Sequence, residues 1–235
     1  QKGSEDENRK LLEKLQAMQN DLQQREDDLK EAELQLETKK LAMEKLGDDL
    51  ARTETELKKR EQRVNELEEM IAQKDAATKA LKDKIAEALL GFKDKGLTVE
   101  QKNGKIYVSM EAKLLFDKGS TKIDVEGKKA LVELAKVLQD QTDIEILVEG
   151  HTDTDKLSGT GAIKDNWDLS VIRATSVVKI MIENSTINPT NITAAGKGPH
   201  FPVDPADTEE AKSKNRRIEV ILTPNLDKLF ELIEN

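Results

Sequence analysis

The chain has 235 residues, of which 36% are charged and only 3% aromatic, with a formal net charge of −9 and no cysteine. This acidic balance lacks the basic surface that phosphate neutralisation requires, so neither nucleic acid nor an anionic membrane surface is an expected partner. The missing cysteine excludes disulfides and thiolate chemistry, and no apolar stretch reaches the roughly 20 residues needed to span a bilayer.

Composition is uneven along the chain. Residues 1–91 contain no aromatic residue and no proline, whereas all five prolines lie beyond residue 188. The first part therefore cannot build an ordinary globular core. The second part has the size of one domain. The expected division is a long helix over 1–91, a globular domain over 97–224 and a short amphipathic helical tail over 225–235. The chain opens at Gln1 with no charged-then-apolar leader. It is expected to be mature or trimmed, with any membrane attachment through a segment upstream of it.

Within the first part an apolar residue recurs every seventh position, at Leu15, Leu22, Leu29, Leu36, Met43, Leu50, Leu57, Val64 and Ile71. A seven-residue period keeps one stripe facing a partner as helices supercoil, so a coiled coil and a homo-oligomer are expected. The matching d positions are Met18, Arg25, Ala32, Lys39, Leu46, Thr53, Arg60, Leu67 and Lys74. Five of them are polar or charged, so the seam is half apolar and leaves strand number open. A single charged helix without a partner is the plainer alternative. The frame continues through Leu81, Ile85, Ala88 and Phe92. Gly47 interrupts the composition but not the period, and Gly91 with Gly96 is expected to end the helix.

Beyond Gly96 the pattern changes. Leu97–Gln101 and Ile106–Met110 read as strands joined by a turn at Lys102-Asn103-Gly104. Ser120 or Thr121 is placed to cap a helix with Ile123, Ala130, Leu131, Leu134, Ala135 and Leu138 on one face. Ile144–Val148 reads as a buried strand. A Gly/Ser/Thr-rich loop follows over 154–164, then a helix from Trp167 to Glu183 with Val171, Ala174, Val178 and Ile182 on one stripe. Strands at Ile192–Ala195 and Arg217–Leu222 flank a proline-bearing loop. Helices alternating with strands give an α/β sandwich with the helices packed on one mixed sheet.

Asp153 follows an apolar strand, so it emerges at that strand's carboxyl end, where ligands of α/β sheets usually bind. Asn166 is placed to cap the next helix, whose N-terminus favours a carboxylate. Arg173 lies two turns further along the same helix, and its planar fork suits a carboxylate. Spacing alone leaves a second outcome open, in which Asp153 and Arg173 pair with each other.

Taken in order, Glu149-Gly150-His151-Thr152-Asp153, then Asn166-Trp167-Asp168-Leu169-Ser170-Val171-Ile172-Arg173-Ala174, then Asn215-Arg216-Arg217-Ile218-Glu219 resemble the OmpA-like (OmpA/MotB C-terminal) peptidoglycan-binding domain over about residues 106–224. The segment Leu115–Ser120 also resembles that family's early loop beside the site. The resemblance implies that Asp153 and Arg173 grip the diaminopimelate residue of a peptidoglycan stem peptide, with Thr152, Asn166, Leu169 and Arg216 as wall or support. It further implies a non-enzymatic anchor in the periplasm of a Gram-negative-type envelope, associated with the outer membrane. A coiled-coil scaffold and a stator-like motor component are the alternatives. The loop between Asp153 and Asn166 is longer than in many relatives, and Gly119 stands where some carry a polar side chain.

No metal or cofactor is expected. His151, Asp153 and Asp155 alternate without closing a shell, and an EF-hand frame fails at Leu157 and Lys164. His151 is expected to orient the turn through a hydrogen bond, and Trp167 to sit in the core. No nucleophile with a base partner and no phosphate loop is present, so catalysis is not expected.

Overall fold

The structure, a computed structural model, describes residues 2–117, 120–157 and 161–225, with side chains from residue 6 onward. Residues 226–235 of the expected tail, and Gly119, lie outside the described residues. The chain divides into two units, residues 1–65 and 66–235.

One helix, α1, Lys2–Ala88, supplies every described residue of the first unit and enters the second. In residues 6–62 every side chain is exposed. The seven-residue stripe is open throughout, from 50% at Ile71 to 74% at Met43. Asp21 pairs with Arg25 one turn later, and Gln35 donates to Glu31, so local charges and amides support the helix.

The second unit begins at Glu66, some thirty residues before the expected domain start at 97. The last turns of α1 and the residue that follows it explain the difference, because Thr78, Leu81 and Ile85 are buried, as is Leu89. Leu81, Ile85 and Leu89 belong to the same apolar cluster as Leu97, Ile106, Leu131 and Leu222. Spacing of four residues puts them on one face of a straight helix. Ala88 and Phe92, the next positions of the heptad frame, are only partly buried. The helix breaks at Ala88, passes through a 3-10 turn over Leu90–Lys95, and reverses at Gly96 with φ 90°.

Five strands form one sheet in the order β1-β2-β5-β3-β4, with β1 Leu97–Lys102, β2 Lys105–Glu111, β3 Ile144–His151, β4 Ile192–Gly198 and β5 Arg217–Pro224. β3 and β4 are parallel and the other pairs antiparallel, so the sheet is mixed as expected. The β1–β2 turn is set by Asn103 and Gly104, both at positive φ, 52° and 71°. That matches the twist a two-residue hairpin needs. The helices are α2 Ala112–Leu115, α3 Val125–Leu138, α4 Asn166–Glu183 and α5 Glu209–Asn215.

Ile146 and Val148 of β3 lie in the apolar core. A Cβ at Gly150 would collide with the Ser170 carbonyl of α4. Even-numbered positions of β3 therefore face the helices, and odd-numbered ones the opposite side. Gly196 of β4 makes a second close approach, to the side chains of Ser170 and Val171. These two glycines rotate α4 so that Ser170, Arg173, Ala174, Val177 and Met181 are its buried residues, and Val171 of the expected stripe is 41% exposed.

Two caps differ from expectation. Asp124, not Ser120 or Thr121, caps α3 by accepting from the Gly127 amide at 2.7 Å. Asp165, not Asn166, caps α4 by accepting from Trp167 and Asp168. Aspartate is as good a cap as serine or asparagine, so local rank alone did not decide between neighbours.

Candidate functional site

A cavity of about 570 Å³ opens where the carboxyl end of β3 meets the start of α4 and one side of α5. All six residues singled out from the sequence line it: Thr152, Asp153, Asn166, Leu169, Arg173 and Arg216. The short α2 and its following turn add Ala112, Lys113, Phe116 and Asp117.

Asp153 is buried just past the end of β3, and its carboxylate is already organised. Oδ1 accepts from the Asp155 amide at 3.1 Å, and Oδ2 accepts from Arg216 Nη1 at 2.5 Å. Asp153 and Arg173 do not pair with each other. Instead the Nε and Nη2 groups of Arg173 donate to the Ser120 carbonyl at 3.1 and 3.0 Å, and its guanidinium stacks 5.0 Å from the Phe116 ring centre. Burial pushes its pKa below the usual arginine value, the nearby Arg216 adds to the fall, and Asp153 opposes it. An arginine starts so far above neutrality that it remains a cation, short of a counter-charge.

Thr152 is locked by its surroundings. Its amide donates to the Gly198 carbonyl at 3.0 Å and its hydroxyl donates to the Asp153 carbonyl at 3.1 Å. Asn166 is the first residue of α4 and not its cap. Its side-chain amide donates to the Asp155 carbonyl at 2.9 Å and reaches the Asp153 carbonyl at 3.5 Å, so it ties the loop after β3 to the helix. Leu169 supplies apolar lining one turn on.

α5 is absent from the sequence expectation, which read its residues as part of a proline-bearing loop. The local signal was present: Thr208 caps by accepting from the Ala211 amide, Glu209 and Glu210 occupy the first turn, and Lys212 and Lys214 the last. α5 contributes Glu209 and Ser213 to the cavity and leads directly into Arg216. Glu209 lies 3.7 Å from Arg216 Nη2, giving that arginine a second carboxylate beside Asp153. Lys212 bridges Asp155 and Asp207 at 2.8 and 3.0 Å, and those two bonds raise its pKa above the ordinary lysine value. The loop that carries Asp153 is thus fastened to α5.

Two further expectations change. Trp167 is 48% exposed and stacks on His200, with ring centres 5.2 Å apart, because α4 turns its Ser170 side toward the sheet. His151 is buried, but neither ring nitrogen makes a hydrogen bond among the described residues, so it does not orient the turn in the expected way.

The cavity brings a carboxylate and a guanidinium together without mutual neutralisation, which suits a small ligand bearing both an ammonium and a carboxylate. Residues 115–216 match the OmpA family. Motility protein B of Bacillus subtilis (strain 168) is 31% identical over 151 residues, 64% of this chain and 55% of that protein. Peptidoglycan-associated lipoprotein of Buchnera aphidicola subsp. Baizongia pistaciae (strain Bp) is 32% identical over 108 residues, 46% of this chain and 59% of that protein. Among solved structures, the cell wall anchor of the T6SS from Pseudomonas aeruginosa superposes with a TM-score of 0.55 at 26% identity, covering 60% of this chain and 97% of that one. The chain spans about half the length of the curated relatives it matches. Sequence match and fold agree on the same segment: residues 115–216 are an OmpA family domain, carried behind a long N-terminal helix.

Proposed function

We propose that this domain anchors its protein to peptidoglycan by holding the diaminopimelate residue of a stem peptide noncovalently. The observation that carries the proposal is the cavity on which buried Asp153 and buried Arg173 converge without pairing with each other. Diaminopimelate has an ammonium and a carboxylate on one carbon. Asp153 receives the ammonium through lone pairs left over from its bonds to Arg216 and Asp155, since each carboxylate oxygen can accept twice. Arg173 receives the carboxylate, which supplies the counter-charge its carbonyl partner does not. Thr152 and Asn166 hold the loop in place, Leu169 packs on the ligand's methylenes, and Arg216 keeps Asp153 ionised and aimed.

Two relatives support this by name, one a peptidoglycan-associated lipoprotein and the other a cell wall anchor. The protein then acts without catalysis or cofactor in the periplasm, fixing the outer membrane or an envelope complex to the wall. Residues 15–71 serve as a self-associating spacer. Likeness to Motility protein B favours a second reading, in which the same anchor belongs to a motor stator. A membrane helix bearing a carboxylate upstream of Gln1 in the gene would decide for it. A pure scaffold predicts assembly through the rod and no affinity for the wall.

The test uses the whole chain, because Leu81, Ile85 and Leu89 are part of the domain core and a cut at residue 96 would remove them. Calorimetric titration with meso-diaminopimelate and a matching stem peptide should show saturable binding that lysine does not reproduce. Asp153→Ala with Arg173→Ala, folded by circular dichroism, should weaken it at least about 30-fold, the scale for truncating a buried charge pair. Undiminished sedimentation of that double variant with peptidoglycan would refute the assignment.

A further inference from the structure

A second cluster lies on the sheet face turned away from α3 and α4, outside the cavity. The antiparallel register of β3 and β5 sets Glu149 directly opposite Glu219, and His151 opposite Arg217. Two carboxylates facing each other across strands repel and need a cation between or beside them. Each has one at its outer oxygen: Arg217 donates to Glu219 Oε1 at 2.7 Å, and Lys197 stands 3.3 Å from Glu149 Oε1. Among the described residues the inner oxygens have none. Both Oε2 atoms point at His151 Nε2, at 3.6 Å for Glu149 and 3.8 Å for Glu219.

Those separations are too long for hydrogen bonds. They are within a few tenths of an ångström of the ~3.3 Å that separates ligand atoms around a tetrahedral zinc ion with bonds of about 2.0–2.1 Å. The His151 side chain is 3% exposed and, among the described residues, has no hydrogen-bond partner at either ring nitrogen. A buried imidazole left unpaired is costly, and an ion that accepts the Nε2 lone pair would remove the cost at that nitrogen. Burial, then Arg217, then Lys197, lower its pKa to about 3. The ring is therefore neutral at ordinary pH, the form that ligates metal.

We propose that Glu149, His151 and Glu219 form a divalent transition-metal site, with zinc the ion its one imidazole and two carboxylates fit best. The ligand atoms lie within 4.8 Å of one another. An imidazole donor selects zinc-class ions over magnesium and calcium, which prefer all-oxygen shells. Arg217 holds the outer oxygen of Glu219 and aims the inner one, as second-layer partners do in metal sites, whereas Lys197 makes only a longer ion pair with Glu149. A bound ion ties β3 to β5 at the end of the sheet that carries Asp153, and it is independent of what the cavity binds.

The chain has only two histidines, so imidazole NMR gives an internal control. Titration of the whole chain with zinc chloride should move the His151 resonances in a saturable way at one ion per chain and leave His200 unmoved, while magnesium chloride does neither. Glu219→Gln should weaken binding at least tenfold. Lys197→Gln, at a side chain 34% exposed, should tighten it several-fold by removing a competing positive charge. Because Lys197→Gln removes no metal ligand, it keeps the test alive even if Glu219→Gln fails to fold. The site is refuted if saturating zinc leaves His151 unmoved in both the parent and Lys197→Gln, or if only His200 responds.

Discussion

Residues 15–64 and residues 78–88 lie on one continuous helix that Leu89 directly follows, yet the two stretches place their apolar side chains in opposite circumstances. In the first stretch Leu15, Leu22, Leu29 and their successors recur every seven residues and remain exposed. In the second, Leu81, Ile85 and Leu89 recur every four and are buried in the domain's own core. Ile71 and Thr78 share one heptad position, but Ile71 is 50% exposed and Thr78 is buried. Between them the stripe passes from a face that needs another helix to one that its own chain already covers. A seven-residue repeat calls for a partner that supercoils with it, whereas a stripe at four-residue spacing fits a fixed globular surface.

The strongest break of this contrast is at Gly150, in the domain. Alanine there would press its Cβ into the Ser170 backbone carbonyl, which cannot rotate aside. Overpacking against backbone should cost about 3 kcal/mol or more. Gly150→Ala should lower the domain's urea midpoint markedly and leave the rod's sedimentation behaviour unchanged. A parent-like midpoint would mean that α4 is free to slide on the sheet.

Next in size is a matched pair on the helix itself. Ile85→Ala should cost the domain about 2–4 kcal/mol, because the side chain is fully buried. Leu50→Ala, at an exposed position, should change domain stability by less than about 0.5 kcal/mol. Its effect should fall on association instead. Equal effects of the two on domain unfolding would erase the division at residues 65 and 66.

The same contrast shows what the sequence discloses. The heptads, the Asn103-Gly104 hairpin and every strand were legible because each rests on a local period or a local turn. The six candidate residues were legible as a group because three motifs named them together, and all six line one cavity. What stayed hidden depends on distant pairing. β5 inserts between β2 and β3, and only that order sets Glu219 opposite Glu149 and carries Arg216 to Asp153. The pairing of Asp153 with Arg216, and of Arg173 with the Ser120 carbonyl, joins residues 63 and 53 positions apart. No helical or strand spacing encodes such a separation. The rotation of α4 likewise follows from Gly150 and Gly196, whose role exists only once the sheet is assembled.

A smaller effect comes from His151 in chelator-treated protein. Its folded pKa of about 3 lies below the ordinary 6.5, so between those values the unfolded chain holds the proton and the folded one does not. Stability should be flat above pH 6.5 and fall as pH drops below it, by up to about 1.4 kcal/mol per pH unit. Glu149, Glu219, Arg217 and Lys197 also face this ring, so the informative quantity is the difference between the parent and His151→Gln. Urea unfolding at pH 7.0 and 5.0 should show the parent losing about 1–2 kcal/mol more than the variant. Equal losses would place the proton on the folded ring as readily as on the unfolded one.

The smallest expected change concerns the rod's one glycine beyond its first turn, and its sign is opposite to that at Gly150. Gly47 lies inside α1 with nothing within 4 Å of the place a Cβ would occupy, so an added methyl meets only open space. Alanine restricts the unfolded chain and favours the helix by roughly 1 kcal/mol over glycine. Gly47→Ala should therefore raise the thermal midpoint of the rod's helical signal and leave domain unfolding untouched. If the repeat from Leu15 to Ile71 does pair two or more helices, the gain is multiplied by the number of strands and grows with protein concentration. A gain independent of concentration would instead describe one unpartnered helix, and the exposed leucines would then need another explanation than self-association.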